Sequence, residues 1–188
     1  MPSEPTEAYV WVWLPGATEP VVAGVIRPSN SIYTFTYGQS YLQHTDRIPL
    51  YVPELPLARG PIPPRAASEI AGCLADAGPD AWGQRVILNR VLGRRGTDPT
   101  DLSRLTYLLE SGSDRIGALD FQGSPNDYVP RSTEHASLEE LAQSVERVEQ
   151  GVPLSPELDQ ALMHGSGWRA TTDRQVQLVD RRLPDREG

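Results

Sequence analysis

Within the first fifty residues, short apolar segments have the length and composition of β-strands, and one of them alternates with the two-residue period of a strand. Three short segments rich in β-branched and aromatic residues are separated by turn-forming residues: Tyr9–Leu14, Val21–Arg27 and Ser31–Tyr37. In the third segment every second residue is aromatic, which is typical of an antiparallel strand with one buried face. Arg47–Val52 predicts a fourth strand. The pattern therefore predicts a small antiparallel sheet at the start of the chain.

After residues 53–65, whose five prolines predict a surface loop, the period changes to that of helices. Apolar residues spaced three or four apart predict helices over Ser68–Ala77 and Asp80–Leu92. A third helix is predicted between Asp98-Pro99, an N-cap followed by proline, and Gly112. Its leucines form an apolar stripe along one face of this helix.

The C-terminal part of the chain contains one more predicted strand, a helix and an unpatterned tail. Ile116–Phe121 predicts a strand that closes a first domain over residues 8–123. Residues 124–167 begin as a linker, and a capping box at Ser137–Glu140 starts an extra helix. Residues 168–188 carry five arginines and four acids without an apolar period, so we expect a disordered tail. The predicted fold class is α+β, a small antiparallel sheet followed by helices.

The charge balance argues against nucleic acid as a direct partner. The 188 residues carry 25 acidic side chains and 17 basic ones, a net charge of −8, and no segment has the basic excess that phosphate binding needs. All 17 basic residues are arginine. The absence of lysine excludes Schiff-base chemistry and the lysine with which P-loop proteins and kinases hold nucleotide phosphates.

Cysteine content and the length of apolar runs indicate a cytoplasmic protein. The single cysteine, Cys73, excludes an internal disulfide and fits a reducing compartment. The longest apolar runs, such as Val21–Ile26, hold about six residues, whereas roughly 20 are needed to span a bilayer. The N-terminus lacks the basic and apolar regions of a secretion signal. We therefore expect no membrane partner.

The titratable side chains show no catalytic or metal-binding motif. His44, His135 and His164 are far apart and lack carboxylates or cysteines at ligand spacing, which favours solvated or capping roles. Cys73 lies on the apolar side of a predicted helix, which indicates a buried small residue rather than a nucleophile. The residues themselves therefore predict neither a metal nor a catalytic group.

Two sets of side chains are candidate binding surfaces, each with a simpler interpretation. An aromatic set would suit the stacking of bases or sugars, but its strand spacing favours sheet core. An arginine set would form a basic patch, but positions near helix ends favour solvated side chains beside the helix dipole. The aromatic residues are Trp11, Trp13, Tyr33, Phe35 and Tyr37, and the arginines are Arg90, Arg94, Arg95 and Arg104.

A glycine-rich stretch, Gly165, Ser166 and Gly167, is the one segment with the composition of a phosphate cradle. No strand clearly leads into it and no lysine follows, so a flexible turn is the simpler interpretation. These three residues are the candidate cofactor-binding positions.

Several stretches, taken in order, match one known family. They include VAGVI, YTFTYGQSYL, RIPLYVPELPLARG and SLEELAQSVERVEQG. The most specific are PDAWGQR at residues 79–85 and, about thirty residues later, GSDRIGAL at residues 112–119. Together they resemble the N-terminal region of the HipA family, the serine/threonine kinase toxins of bacterial type II toxin–antitoxin systems. The resemblance covers roughly residues 8–167.

The resemblance implies a small sheet with helices that packs on a kinase fold, with the start of the kinase N-lobe within residues 124–167. Family members use ATP and Mg, held by a Gly-rich loop, a lysine and two aspartates of a C-terminal lobe. That loop resembles Gly-Ser-Ser-x-Gly-Gly-Ala-Arg-Pro-Lys, and the match here begins at Gly165-Ser166 and departs at Gly167-Trp168. We therefore predict the N-terminal part of a HipA-like toxin, truncated before the ATP lysine and inactive as a kinase.

Two alternatives remain open. One is a stand-alone module that resembles HipS, a small protein that restrains a partner kinase, although such proteins are nearer one hundred residues long. The other is an unrelated domain that binds a ligand on its aromatic sheet face, which the quoted motifs disfavour. For a HipA-like chain, the resemblance implies a protein partner, either a HipB-like antitoxin or a HipA-type kinase lobe.

Overall fold

The computed structural model describes residues 4–65, 67–92, 98–113, 115 and 117–131. These residues form a five-stranded sheet with the order β4-β3-β2-β1-β5, in which every neighbouring pair is antiparallel. The predicted α+β fold is confirmed. The elements in chain order are β1 (Ala8–Val12), β2 (Val21–Ser29), β3 (Ile32–Tyr37), α1 (Gln39–Gln43), β4 (Pro61–Ile62), α2 (Gly72–Asp76), α3 (Ala81–Leu92), a 3-10 turn (Pro99–Asp101), α4 (Arg104–Glu110) and β5 (Leu119–Gln122).

The main core lies between one face of the sheet and three of the helices. Alternate residues of each long strand point into it, as the two-residue period predicts. α3 joins this unit through a smaller cluster of Ile87 and Leu88 with Tyr107 of α4. The fully buried side chains of the main core include Val10, Ile26, Phe35 and Phe121 from the sheet and Tyr41, Leu74, Leu105 and Leu108 from α1, α2 and α4.

The predicted extra helix from Ser137 and the predicted tail over residues 168–188 lie outside the described residues. Within the described part of the chain, the longest helix is α3 with 12 residues, and none is long and apolar enough to cross a bilayer.

The predicted fourth strand, Arg47–Val52, is wrong. This segment is a loop that contains one isolated bridge, between Tyr51 and Leu55. The edge of β3 that a fourth strand would occupy pairs instead with Pro61 and Ile62, inside the stretch predicted to be entirely loop. Pro61 is tolerated in this strand because β4 is only two residues long and lies at the edge of the sheet.

The predicted helix over Ser68–Ala77 is shorter than expected, because α2 begins only at Gly72. The carbonyl of Glu69 accepts a hydrogen bond from the amide of Tyr33 at 2.7 Å, so it is not available as a helical acceptor. Asp98 does cap, as predicted, but it caps the short 3-10 turn. A second cap, Ser103, accepts a bond from the Thr106 amide at 3.2 Å and starts α4.

Gly24 of β2 allows the sheet and the core aromatic residues to approach closely. A Cβ built on Gly24 would lie 2.7 Å from Cζ of Phe35 and would also collide with the carbonyl oxygen of Thr36. Real Cβ atoms do not approach other atoms this closely, so a side chain here requires the strand or the ring to move. Phe35 in turn packs edge-on against Tyr37, with ring centroids 4.8 Å apart. The glycine therefore sets the position of these two rings.

Asp120 of β5 is fully buried and is the acceptor at the centre of a hydrogen-bond cluster. Its Oδ1 accepts bonds from Arg115 Nε at 3.0 Å and from Arg131 Nη2 at 2.9 Å. Its Oδ2 accepts bonds from the Ser113 hydroxyl at 2.6 Å and from the Gln122 amide at 3.0 Å. Two guanidinium groups thus neutralise one buried carboxylate. Such pairing offsets the desolvation penalty of burying a charge.

Arg115 extends this cluster to the helices. Its guanidinium donates to the carbonyls of Ala77, which ends α2, at 2.7 Å and of Leu108, in α4, at 2.8 Å. It also lies 4.9 Å from the centroid of the Phe121 ring. Burial lowers the pKa of Arg115 to about 10 against the opposing charge of Asp120, so the group remains protonated at neutral pH. One side chain therefore joins β5 to two helix ends.

We expect Gly24→Ala to lower the free energy of unfolding by about 1–3 kcal/mol, because the added methyl group overpacks the contact with Phe35. Chemical denaturation of the full chain measures this change. Gly123→Ala is the matched control, since a Cβ there has no atom within 4 Å. Equal stability of the two variants would show that the sheet accommodates a side chain at position 24 without strain.

We expect Asp120→Asn to lower the free energy of unfolding by about 3–5 kcal/mol at pH 7, because it leaves two arginines without their buried counter-charge. Asp127→Asn, an exposed position, should change it by less than about 0.5 kcal/mol. A loss of less than about 1 kcal/mol for Asp120→Asn would mean that the pair is not needed for stability.

The same carboxylate predicts acid sensitivity. Burial alone raises the pKa of Asp120, but the Ser113 hydrogen bond and the charges of Arg131 and Arg115 outweigh it and hold the pKa below the usual 3.8. A depressed pKa in the folded state gives stability that is present above the unfolded pKa and is lost as the pH falls through the folded one. Denaturation curves at pH values below about 4 should therefore show a larger loss of stability in the wild type than in Asp120→Asn.

Candidate functional site

The sequence-predicted cofactor positions, Gly165, Ser166 and Gly167, lie outside the described residues, as do His135 and His164. The structure places His44 just after α1, where its Nδ1 accepts a hydrogen bond from the Asp46 amide at 3.1 Å. His44 is the C-cap residue of α1, which agrees with the solvated or capping role expected of the histidines. Among the described residues, no three His, Cys, Asp or Glu side chains come together as a metal site would require.

Cys73 at the start of α2 has the properties of a packed residue. Burial, the charge of Glu54 and the hydrogen bond that the thiol donates to that carboxylate raise the pKa of the thiol to about 11. The thiol is therefore protonated at neutral pH and is a poor nucleophile. The Glu54 carboxylate also accepts a hydrogen bond from the Cys73 amide at 3.1 Å, which fixes the first turn of α2. The predicted structural role of this cysteine agrees with these contacts.

The five aromatic candidates do not form one platform. Tyr33, Phe35 and Tyr37 pack in the main core, as their spacing predicts. Trp11 of β1 and Trp13 just after this strand alternate with core residues and contact the ring of Tyr128 instead, at centroid distances of 5.4 and 5.2 Å. The Trp11 indole N–H also donates to the carbonyl of Ser124 at 3.2 Å. The segment after β5 therefore covers these two rings.

The arginine candidates are not a common patch either. Arg90 forms an ion pair with Glu110 at 2.8 Å, and Arg104 forms one with Glu69 at 3.5 Å. Arg94 and Arg95 lie outside the described residues. The described members are thus neutralised on the surface, where such pairs contribute little to stability.

A loop that the sequence pattern misassigned carries the main exposed apolar surface. We call residues 47–57 the apolar loop. Leu55 anchors this loop and is fully buried in the core. Only five large apolar side chains are exposed among the described residues, and four of them belong to this loop. They are Ile48 at 39%, Tyr51 at 48%, Val52 at 65% and Leu57 at 38%, the fifth being Val129 at 61%.

Two tyrosines of the core hold the apolar loop in place. The Tyr37 hydroxyl accepts a bond from the Leu50 amide at 2.9 Å and donates to the Leu55 carbonyl at 2.6 Å. The Tyr41 hydroxyl donates to the Ile48 carbonyl at 2.9 Å. The two rings stack with centroids 5.7 Å apart and an interplanar angle of 7°. Burial raises the pKa of Tyr37 to about 12, so its hydroxyl remains protonated and keeps both bonds.

An open groove borders the apolar loop, and we call it the arginine groove. Its volume is about 500 Å³. Arg47 and Leu57 belong both to the groove and to the loop, so the two surfaces are continuous. Neither the loop nor the groove holds a nucleophile with an adjacent base, and the arrangement suits binding rather than bond making. The residues that line the groove are Tyr37, Gln39, Leu42, Gln43, Arg47, Leu57, Ala58, Arg59 and Gly60.

Sequence reasoning missed this surface because Ile48, Leu50 and Val52 alternate as they would in a strand. The prolines that follow, Pro53 and Pro56, were the available signal against a strand, because proline cannot donate a hydrogen bond to a neighbouring strand. The partners that hold the loop, Tyr37 and Tyr41, are distant enough in sequence that no local pattern reveals them.

We expect Tyr37→Phe to lower the free energy of unfolding by about 1–3 kcal/mol and to speed hydrogen exchange at the Leu50 amide, because that amide and the Leu55 carbonyl lose their buried partner. Tyr9→Phe is the control, since the Tyr9 hydroxyl donates to the partly exposed Glu7 side chain, its one hydrogen-bond partner among the described residues. Unchanged exchange at Leu50 in Tyr37→Phe would show that the loop keeps its shape without this hydroxyl.

One comparison with known proteins identifies the family of this fold. A family model described as HipA N-terminal domain matches residues 12–122, which is more than half of the chain. The match begins at the last residue of β1 and ends with β5, so it contains strands β2 to β5, the apolar loop and the arginine groove. A search of curated proteins found no match. The chain therefore belongs to the HipA N-terminal domain family.

Proposed function

We propose that this chain is the N-terminal module of a HipA-like kinase toxin of a toxin–antitoxin system, that it has no kinase activity of its own, and that it works by binding a protein partner. The partner is a HipA-type kinase lobe or a HipB-like antitoxin. The observation that carries the proposal is the apolar loop, residues 47–57, which exposes four large apolar side chains on an ordered backbone.

An ordered loop that exposes apolar side chains is well suited to association. Contiguous apolar surface on a folded domain commonly marks a protein interface. The hydrogen bonds from Tyr37 and Tyr41 and the buried anchor Leu55 fix the backbone before any partner arrives. A loop that is already ordered loses less conformational entropy on binding than a mobile one. More of the apolar burial therefore remains as binding free energy.

The proposed absence of kinase activity rests on the residue inventory of the chain. Kinases hold the phosphates of ATP with a lysine, and this chain contains none. The role assigned to the chain is therefore that of a binding module.

The direct test is titration of the purified full chain with a HipA-type kinase lobe from the same organism, and separately with a HipB-like antitoxin, followed by calorimetry. Saturable binding of either supports the proposal, and no binding of either contradicts it. A kinase assay of the lobe with and without the chain separates the two roles. Inhibition on binding would identify a HipS-like restraining module, and binding without inhibition would favour the N-terminal part of a toxin.

We expect Val52→Asp to weaken binding by about tenfold or more, because it places a charge in the apolar centre of the interface. Val129→Asp is the matched control, because Val129 is the same residue type with nearly the same exposure, 61% against 65%, but lies outside the loop. Equal loss in both variants, or none in Val52→Asp, would place the interface elsewhere.

A further inference from the structure

The arginine groove differs in charge from the rest of the described surface. The chain has a net charge of −8, yet the lining of the groove contains Arg47 and Arg59 and no acidic residue. Asp46 and Glu54 are close in sequence, but neither lines the groove. Glu54 is engaged with the amide of Cys73. A positive groove on an acidic protein is a selective site for anionic groups.

Neither groove arginine is neutralised by a carboxylate among the described residues. Arg47 donates to the His44 carbonyl at 2.9 Å, and Arg59 makes no hydrogen bond or ion pair within the part of the chain that the structure describes. Most other described arginines do have an acidic partner. The ion pairs are Arg27–Glu7, Arg90–Glu110, Arg104–Glu69, Arg115–Asp120 and Arg131–Asp120.

The remaining lining residues complete a site for a polypeptide. Gln39 and Gln43 bring side-chain amides, which can both donate and accept hydrogen bonds. Leu42 contributes apolar surface, and Leu57 continues it into the apolar loop. A ligand that fills the groove and also covers the loop must carry both anionic and apolar groups over several ångströms. A stretch of protein chain with alternating acidic and apolar side chains meets that requirement.

We propose that the arginine groove binds the carboxylates of an acidic segment of the protein partner, while apolar side chains of the same segment cover the apolar loop. This inference rests on the proposed function and adds the chemistry of the partner surface. Guanidinium groups suit this task because they pair with carboxylates through two parallel hydrogen bonds. The charge contrast between groove and chain then orients the partner before contact.

The first test is charge reversal in the full chain. Arg59→Glu should weaken binding of the kinase lobe or antitoxin by about tenfold or more, because it sets like charges against each other. Arg59 is exposed and makes no hydrogen bond or ion pair within the described residues, so the variant should fold normally. Arg85→Glu is the matched control, an exposed arginine of α3 with the same change in net charge, and should bind within about twofold of wild type.

The second test identifies the chemical group that the groove meets. Because the chain contains no lysine, Arg59→Lys adds the only side-chain amine and keeps the charge. A carbodiimide couples that amine to a carboxylate in contact with it, and mass spectrometry locates the joined residues. We expect coupling to an Asp or Glu flanked by apolar residues in the partner, and no such coupling for Arg85→Lys.

The outcomes separate this inference from the proposed function. If the wild-type chain binds neither partner, the proposed function fails and the inference falls with it. If the wild type binds but Arg59→Glu binds equally well, or Arg59→Lys couples no more than Arg85→Lys, the inference alone is wrong. Loss of binding after phosphatase treatment of the partner would show that the groove binds phosphate groups, and would likewise overturn the carboxylate assignment.

Discussion

The buried carboxylate of Asp120 is the constraint on which the arrangement of sheet and helices depends. A charge with no exposed surface must be compensated, and here the compensation comes from groups on several segments. Arg115 also donates hydrogen bonds to the carbonyls of Ala77, the C-cap of α2, and of Leu108 in α4. The side chain that neutralises the carboxylate therefore also satisfies carbonyls near two helix ends. The cluster thus connects β5, which pairs with β1, to the ends of two helices.

Toward the other edge of the sheet, the hydroxyl groups of two core tyrosines hold a surface loop in place. Tyr37 and Tyr41 contribute ring area to the core and direct their hydroxyls outward to the backbone of the apolar loop. Side chains of the core thus determine the shape of the apolar loop, most of which is exposed. In the Asp120 cluster and in the tyrosine pair alike, a hydrogen-bonding group within the core positions backbone outside it.

The sequence pattern predicted the elements whose stabilising contacts are local, or in which the apolar residues fall on one face. The three N-terminal strands and α3 were found with nearly correct bounds because their apolar residues recur at one period. The apolar loop was missed because its apolar residues alternate by chance, while the bonds that shape it come from tyrosines on other elements. The role of Asp120 was missed for the same reason, since its partners Arg115 and Arg131 are recognised only once the chain has folded.

The packing of Tyr128 against Trp11 and Trp13 gives the molecule a built-in optical reporter. Two of the four tryptophans in the chain lie against this ring, and one indole N–H is bonded to the carbonyl of Ser124. Indole emission depends on the polarity around the ring and on the hydrogen bond of its N–H. The fluorescence spectrum of the unlabelled protein therefore records whether residues 124–128 rest on the sheet or have been lifted from it.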